Sequence, residues 1–295
     1  MRTKPIFEGA ATALVTPLNE SGVNYAQLER LINWQIDEGI NALVICGTTG
    51  EAATMSPSER LDAISFCCEY AYGRVKVIAG TGSNGTENTV SFSKEAQRAG
   101  ADALLVVTPY YNKPTQSGLL RHYTAVTEQV DVPVLLYNVP SRTGVSFTAE
   151  TYRHLSENPQ INGVKEASGD FALISETRKQ CGDDFYIWSG NDDQVVPMMS
   201  LGCAGVISVA GNLVPEKMAR LTSLCLYGKY EEAASMQLEL FGLIRGLFCE
   251  SNPIPVKTAM NLMGFDIGPL RLPLCEMSEE HIAQLKQELL ALKIL

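Results

Sequence analysis

Residues Ala101–Asn112 read ADALLVVTPYYN. Ala103 to Val107 is an unbroken apolar run, and polarity returns only at Thr108. A strand with one wet face would alternate apolar and polar residues. A continuous run reads instead as a strand covered on both faces, the pattern of parallel sheets. The same kind of run recurs at roughly thirty-residue spacing. It appears as AATALVTP around Ala11, ALVICG from Ala42, VKVIAGTG from Val75 and VPVLLYNVP from Val132. INGVKEAS from Ile161, FYIWSGN from Phe185 and AGVISVAGN from Ala204 bring the total to eight.

Helical patterns fill the gaps. NYAQLERLINWQIDEG places Leu28, Leu31, Ile32 and Ile36 on one face, and Gly39 suits the C-terminal cap. In SPSER, Ser56 suits an N-cap, Pro57 the first helical position and Glu59 a capping box. Strand alternating with helix implies βαβ units with right-handed crossovers. Eight such units predict an α/β fold, a (β/α)8 TIM barrel over residues 1–225. The spacing tightens between the last strands, so small helices are expected there. After Leu213 strand signals stop, and a C-terminal helical region is expected over residues 226–295.

Composition narrows the function classes. Of 295 residues, 45% are hydrophobic and 19% charged, as in ordinary soluble domains. The net charge of -10 disfavours nucleic acid and anionic membrane surfaces as partners. No apolar run approaches the ~18 residues that a membrane helix needs. MRTKPIFEGAATALVTP lacks the pattern of a signal peptide. The eight cysteines form no CxxC pair and are expected to be reduced, mostly packing residues. These features predict a cytoplasmic protein.

Barrel active sites lie where strands end. The residues there are Gly47-Thr48-Thr49-Gly50-Glu51, Tyr110-Tyr111, Tyr137-Asn138, Ser141-Arg142-Thr143, Lys165 and Ser189-Gly190-Asn191. Strand alternation turns Val164 and Glu166 toward the helices and Lys165 inward. Burial disfavours an ammonium, and a free amine can attack a ketone to form a Schiff base. Position alone also permits an ion pair, or a lysine reaching out of the barrel mouth. Tyrosines and threonines on the same face can relay protons. Arg142 has the fork that holds a carboxylate in two bonds.

GTTGEAAT, TPYYNKPTQSGL, YNVPSRTG, GVKEASGD and NPIPVKTAM, in that order, resemble the dihydrodipicolinate synthase family. The likeness runs from Phe7 to about Leu295. It implies a pyruvate-dependent class I aldolase-type barrel that condenses pyruvate with L-aspartate 4-semialdehyde in lysine biosynthesis. By the same resemblance, Lys165 forms the imine, Tyr137 shuttles protons, and Thr48, Tyr137 and Tyr111 form the relay. The counterpart of Tyr111 reaches in from a neighbouring subunit, so a dimer, and a homotetramer built as a dimer of dimers, is implied. Thr49 holds the pyruvate carboxylate, Arg142 that of the aldehyde, and Gly190 and Ile207 line the pocket. No metal or organic cofactor is implied, because the imine serves as electron sink. N-acetylneuraminate lyases and keto-deoxy-sugar aldolases share the barrel, the lysine and the strand-five tyrosine. Thr48, where the neuraminate lyases carry serine, and the Arg142 loop favour the synthase.

Rival chemistry finds less support. Gly80-x-Gly82-x-x-Gly85 matches a dinucleotide fingerprint, but the acidic residue expected ~20 positions on is missing. There is no GxSxG elbow and no HExxH pattern. The three histidines, His122, His154 and His281, are expected at the surface. A non-catalytic ligand-binding barrel would be signalled by loss of Lys165, Tyr137 or Arg142, and all are present.

Members of the family that lysine strongly inhibits carry two histidines and a glutamate where this chain has Pro57, Arg60 and Asn88. Asn84 and Tyr110 of that site are retained. An effector ammonium would meet Arg60 and lack a carboxylate. Lysine feedback is therefore expected to be weak or absent. An inhibition titration should show no half-inhibition at submillimolar lysine.

Overall fold

The structure, a computed structural model, describes residues 4–295. The eight expected strands are present: β1 (Gly9–Ala13), β2 (Ala42–Ile45), β3 (Lys76–Gly80) and β4 (Ala103–Val107). β5 (Val134–Asn138), β6 (Ile161–Glu166), β7 (Tyr186–Ser189) and β8 (Gly205–Ser208) follow. Each pairs in parallel with the next, and β8 pairs with β1 to close the barrel.

The continuous apolar runs are explained by two separate cores. Ala42 and Val44 join Ala11, Ala13, Leu105 and Ile207 in the barrel interior. Leu43 and Ile45, one residue out of phase, pack outward with the helix layer. Both faces of the strands are largely dry, Lys76 being exposed at the start of β3, so alternation has little to separate. Phe7 stacks on Trp188 at 5.1 Å, and Trp188 Nε1 donates to the Phe7 carbonyl at 3.2 Å.

Helix ends follow their sequence signals. Tyr25–Asp37 buries Leu28, Leu31 and Ile32, and Gly39 just beyond it has a φ of +85°. Ser56 and Glu59 make the reciprocal capping box of Pro57–Ala71. Between β7 and β8 the helix is only Val195–Ser200. Among the described residues no strand follows Ser208. The chain continues in helices Pro215–Leu226, Tyr230–Glu239, Phe241–Gly246, Ile254–Leu262 and Glu279–Ala291. Among the described residues no helix is long and apolar enough to cross a membrane. All eight cysteines are free, with Cys249 and Cys275 exposed and Cys181 half-buried.

One expectation fails. His122 is buried, with Nδ1 3.0 Å from Thr86 Oγ1 on the neighbouring helix Thr86–Arg98. Desolvation pushes its pKa down to about 4. The polar neighbours in sequence lie on the other side of its helix, which periodicity around one residue does not reveal. His154 is exposed, and His281 is half-buried beside Glu250 at 2.6 Å.

The C-terminal helices are tied to the barrel mouth by charge. Lys257 Nζ lies 2.6 Å from Glu51 Oε1 and donates to the Pro269 carbonyl at 2.7 Å. Both side chains are almost wholly buried. Burial lowers the Lys257 pKa, opposed by the Glu51 charge. Arg271 donates its backbone N–H to Glu51 Oε2 and its guanidinium to Glu59.

Removing one partner of a buried ion pair strands the other charge. Lys257→Met should therefore destabilise the protein by about 3 kcal/mol in chemical denaturation. Lys257→Met with Glu51→Gln should recover much of that loss. Glu59 supplies a second test. The Arg271 side-chain bond is the main reason its pKa falls from 4.5 to about 2. A depressed carboxylate stabilises the fold fully above its unfolded pKa and loses that contribution as pH falls through the folded one. Arg271→Met should reduce the loss of stability between pH 4.5 and pH 2, read as the change in melting temperature with pH.

Candidate active site

The strand ends bring most of the expected residues together. On β5 and β6 the register sets Tyr137 beside Lys165. Lys165 is 5% exposed, and its Nζ lies 4.6 Å from the centroid of the Tyr137 ring. On its other side Lys165 is in register with Trp188 of β7. The lysine thus projects into the barrel interior, as strand alternation predicts, and among the described residues it makes no salt bridge. Gly190 leaves room for it: a Cβ there would sit 3.2 Å from Lys165 Cε and 2.7 Å from Ala167 Cβ.

Above this pair lies a cavity of about 340 Å3, with Thr48, Tyr110, Tyr137, Arg142 and Asn252 in its wall. Lys165 itself does not line the cavity, and Tyr137 connects the two. Arg142 sits on the single turn Pro140–Thr143 and donates Nη2 to the Asn252 carbonyl at 3.1 Å. Thr49 is buried, and its Oγ1 accepts from Asn252 Nδ2 at 2.9 Å. Ile207 is fully buried in the barrel interior and is absent from the cavity wall. Tyr111 is 89% exposed, has a φ of +73° and does not line this cavity.

The cavity wall is electropositive in an acidic protein. Arg60 and Arg142 both face it, whereas its one carboxylate, Glu51, is committed to Lys257. Arg60 is held over the Phe92 ring at 4.0 Å and donates to the Gly80 carbonyl at 2.9 Å. Two glycines of the dinucleotide-like pattern, Gly80 and Gly82, serve packing here. A Cβ on Gly80 would lie 2.2 Å from the Cys46 carbonyl oxygen. A larger groove of about 720 Å3 runs between Asn191 and the helices Phe241–Gly246 and Glu279–Ala291. It lacks Tyr137, Thr48 and Arg142, so the smaller cavity is where the chemistry converges.

Asn252 and Lys257 carry no role in the sequence analysis, and Glu51 appears there only as a strand-end residue. They lie inside GTTGEAAT and NPIPVKTAM, so a signal was present. Only the fold brings the partners together: Asn252 bonds Thr49 across a separation of 203 residues, and Lys257 pairs with Glu51 across 206.

This architecture is shared with known proteins. A family model described as the dihydrodipicolinate synthetase family matches residues 6–292. A protein of Thermoanaerobacter sp. (strain X514) named 4-hydroxy-tetrahydrodipicolinate synthase is 55% identical, over 97% of this chain and 96% of its own. One of the same name from Clostridium novyi (strain NT) is 48% identical over 96% of each chain. The crystal structure of dihydrodipicolinate synthase from Aquifex aeolicus superposes with a TM-score of 0.96 at 42% identity, over 98% of this chain and 99% of that one. A full-length family match, with relatives at about half identity and the same barrel, leaves one conclusion: the chain belongs to the dihydrodipicolinate synthetase family.

Proposed function

We propose that this protein condenses pyruvate with L-aspartate 4-semialdehyde to give 4-hydroxy-tetrahydrodipicolinate, a step of lysine and diaminopimelate biosynthesis. The observation that carries the reading is the buried Lys165 amine against the Tyr137 ring, beneath a cavity walled by Arg142. The Lys165 amine attacks the keto carbon of pyruvate, and the resulting carbinolamine loses water to form an imine. Loss of a methyl proton gives the enamine, whose carbon attacks the aldehyde. The amino group of the second substrate then attacks the imine carbon, closes the ring and frees the lysine. A protonated imine accepts the electron pair that the departing proton leaves behind, so the lysine supplies its own electron sink.

In this reading Tyr137 moves protons at the imine nitrogen and hydroxyl, with Thr48 next to it in the cavity wall. Thr49, ordered by Asn252, presents its loop to the pyruvate carboxylate. Arg142 takes the carboxylate of the aldehyde. Gly190 keeps space beside the lysine, and Ile207 fills the interior near it. Tyr111, exposed in the single chain, completes the relay of a second copy. The working state is a homotetramer, a dimer of dimers, in the cytoplasm, with the barrel over residues 1–225 and a helical region over 226–295.

Incubation with pyruvate and borohydride should place a covalent adduct on Lys165, and none should form with Lys165→Ala. An unlabelled lysine, or a label elsewhere, would overturn the reading. Arg142→Ala should lower kcat/KM for the aldehyde by about a hundredfold while leaving pyruvate trapping intact. In the same assay L-aspartate 4-semialdehyde should react, and N-acetylmannosamine and glyceraldehyde should not.

A further inference from the structure

Directly behind the reactive pair lies a second pair that the reaction does not touch. In register, Asn138 stands beside Glu166 just as Tyr137 stands beside Lys165. Alternation turns the second pair outward, into the helix layer. Glu166 is 2% exposed, and Asn138 and Tyr152 are fully buried. Asn138 Nδ2 donates to both Glu166 oxygens, at 3.0 and 3.1 Å. Tyr152 Oη, from the helix Ala149–Ser156, donates to Oε2 at 2.7 Å, and the Ser168 N–H donates to Oε1 at 2.8 Å.

Two facts about this cluster call for a reason. First, among the described residues Glu166 has no cation within salt-bridge distance. A buried carboxylate without a cation is costly unless donors satisfy it, and here every partner is a neutral donor. Burial raises the Glu166 pKa, and the Tyr152, Ser168 and Asn138 bonds oppose that rise. Second, the cluster ties the two strand ends that carry the reactive pair. The backbone repeats the tie, since Ala167 N–H donates to the Asn138 carbonyl at 2.8 Å, and Gly190 N–H, at the end of β7, donates to the Glu166 carbonyl at 2.7 Å. A displacement of about 1 Å at a reacting centre can cost on the order of a hundredfold in rate.

We propose that Glu166 is a positioning residue for the imine step: its carboxylate, gripped by Asn138, Tyr152 and Ser168, locks the ends of β5 and β6 so that Lys165 meets Tyr137. The inference rests on the proposed imine chemistry. It explains why the network is built on an acid: in this arrangement all of its partners donate.

The test compares wild-type protein with Glu166→Gln at saturating pyruvate, reading the rate of borohydride trapping, KM for the aldehyde and melting temperature. A folded variant that traps pyruvate about tenfold to a hundredfold more slowly, with KM for the aldehyde within about twofold, is the expected result. A folded variant that traps at the wild-type rate would overturn the proposal. So would one whose loss lies mainly in a raised KM for the aldehyde, since that reports a general collapse of the site. If Glu166→Gln fails to fold, Tyr152→Phe decides, because it removes one donor and keeps the charge. Slower trapping with an unchanged KM supports the proposal, and wild-type trapping overturns it. Failure of the wild-type protein itself to trap pyruvate would instead strike the proposed function.

Discussion

Closing eight parallel strands into a cylinder puts side chains into a space that water does not reach, and the whole site depends on which side chains those are. The pairing of β5 with β6 fixes that choice: a slip of one residue would turn Lys165 out to the helices and Glu166 in toward the cavity. The dry cores on both faces hold the register, because a slip would also exchange the interior residues with those facing the helices. The polar residues of β5 and β6 are thus sorted by the same packing that shapes the barrel. The amine and phenol go inward, and the carboxylate and amide go outward.

The helices beyond the barrel belong to this arrangement as well. Lys257 grips Glu51, and Asn252 bonds Thr49 while its carbonyl receives Arg142. Two catalytic-face loops, after β2 and after β5, are therefore oriented by one segment that is distant in sequence. The Lys257–Glu51 pair carries the larger share of risk, since each charge is tolerable only while the other is present. Such a pair fixes geometry more than it adds stability, and here the geometry it fixes is that of the Thr48-Thr49 loop.

The barrel was legible because its strands are continuous apolar runs and its helices carry ordinary caps, as at Ser56-Pro57-Ser58-Glu59. The inward direction of Lys165 was legible from alternation alone. Long-range partners were not: nothing local to Asn252 or Lys257 announces Thr49 or Glu51. His122 was misread because its burial is set by the helix packed against it, through Thr86, and not by its own neighbours in sequence. Ile207 is packed in the barrel interior and does not line the cavity. Tyr111 stands outside the cavity of its own chain.

The interior below the strand ends is packed with side chains, among them Phe7 stacked on Trp188 with the indole bonded to the Phe7 backbone. Traffic then has one doorway. On the proposed reaction the keto acid must take its seat at the bottom before the aldehyde arrives, and the ringed product must go out past the place where the aldehyde came in. A single opening of this kind must empty of product before the next keto acid can be seated.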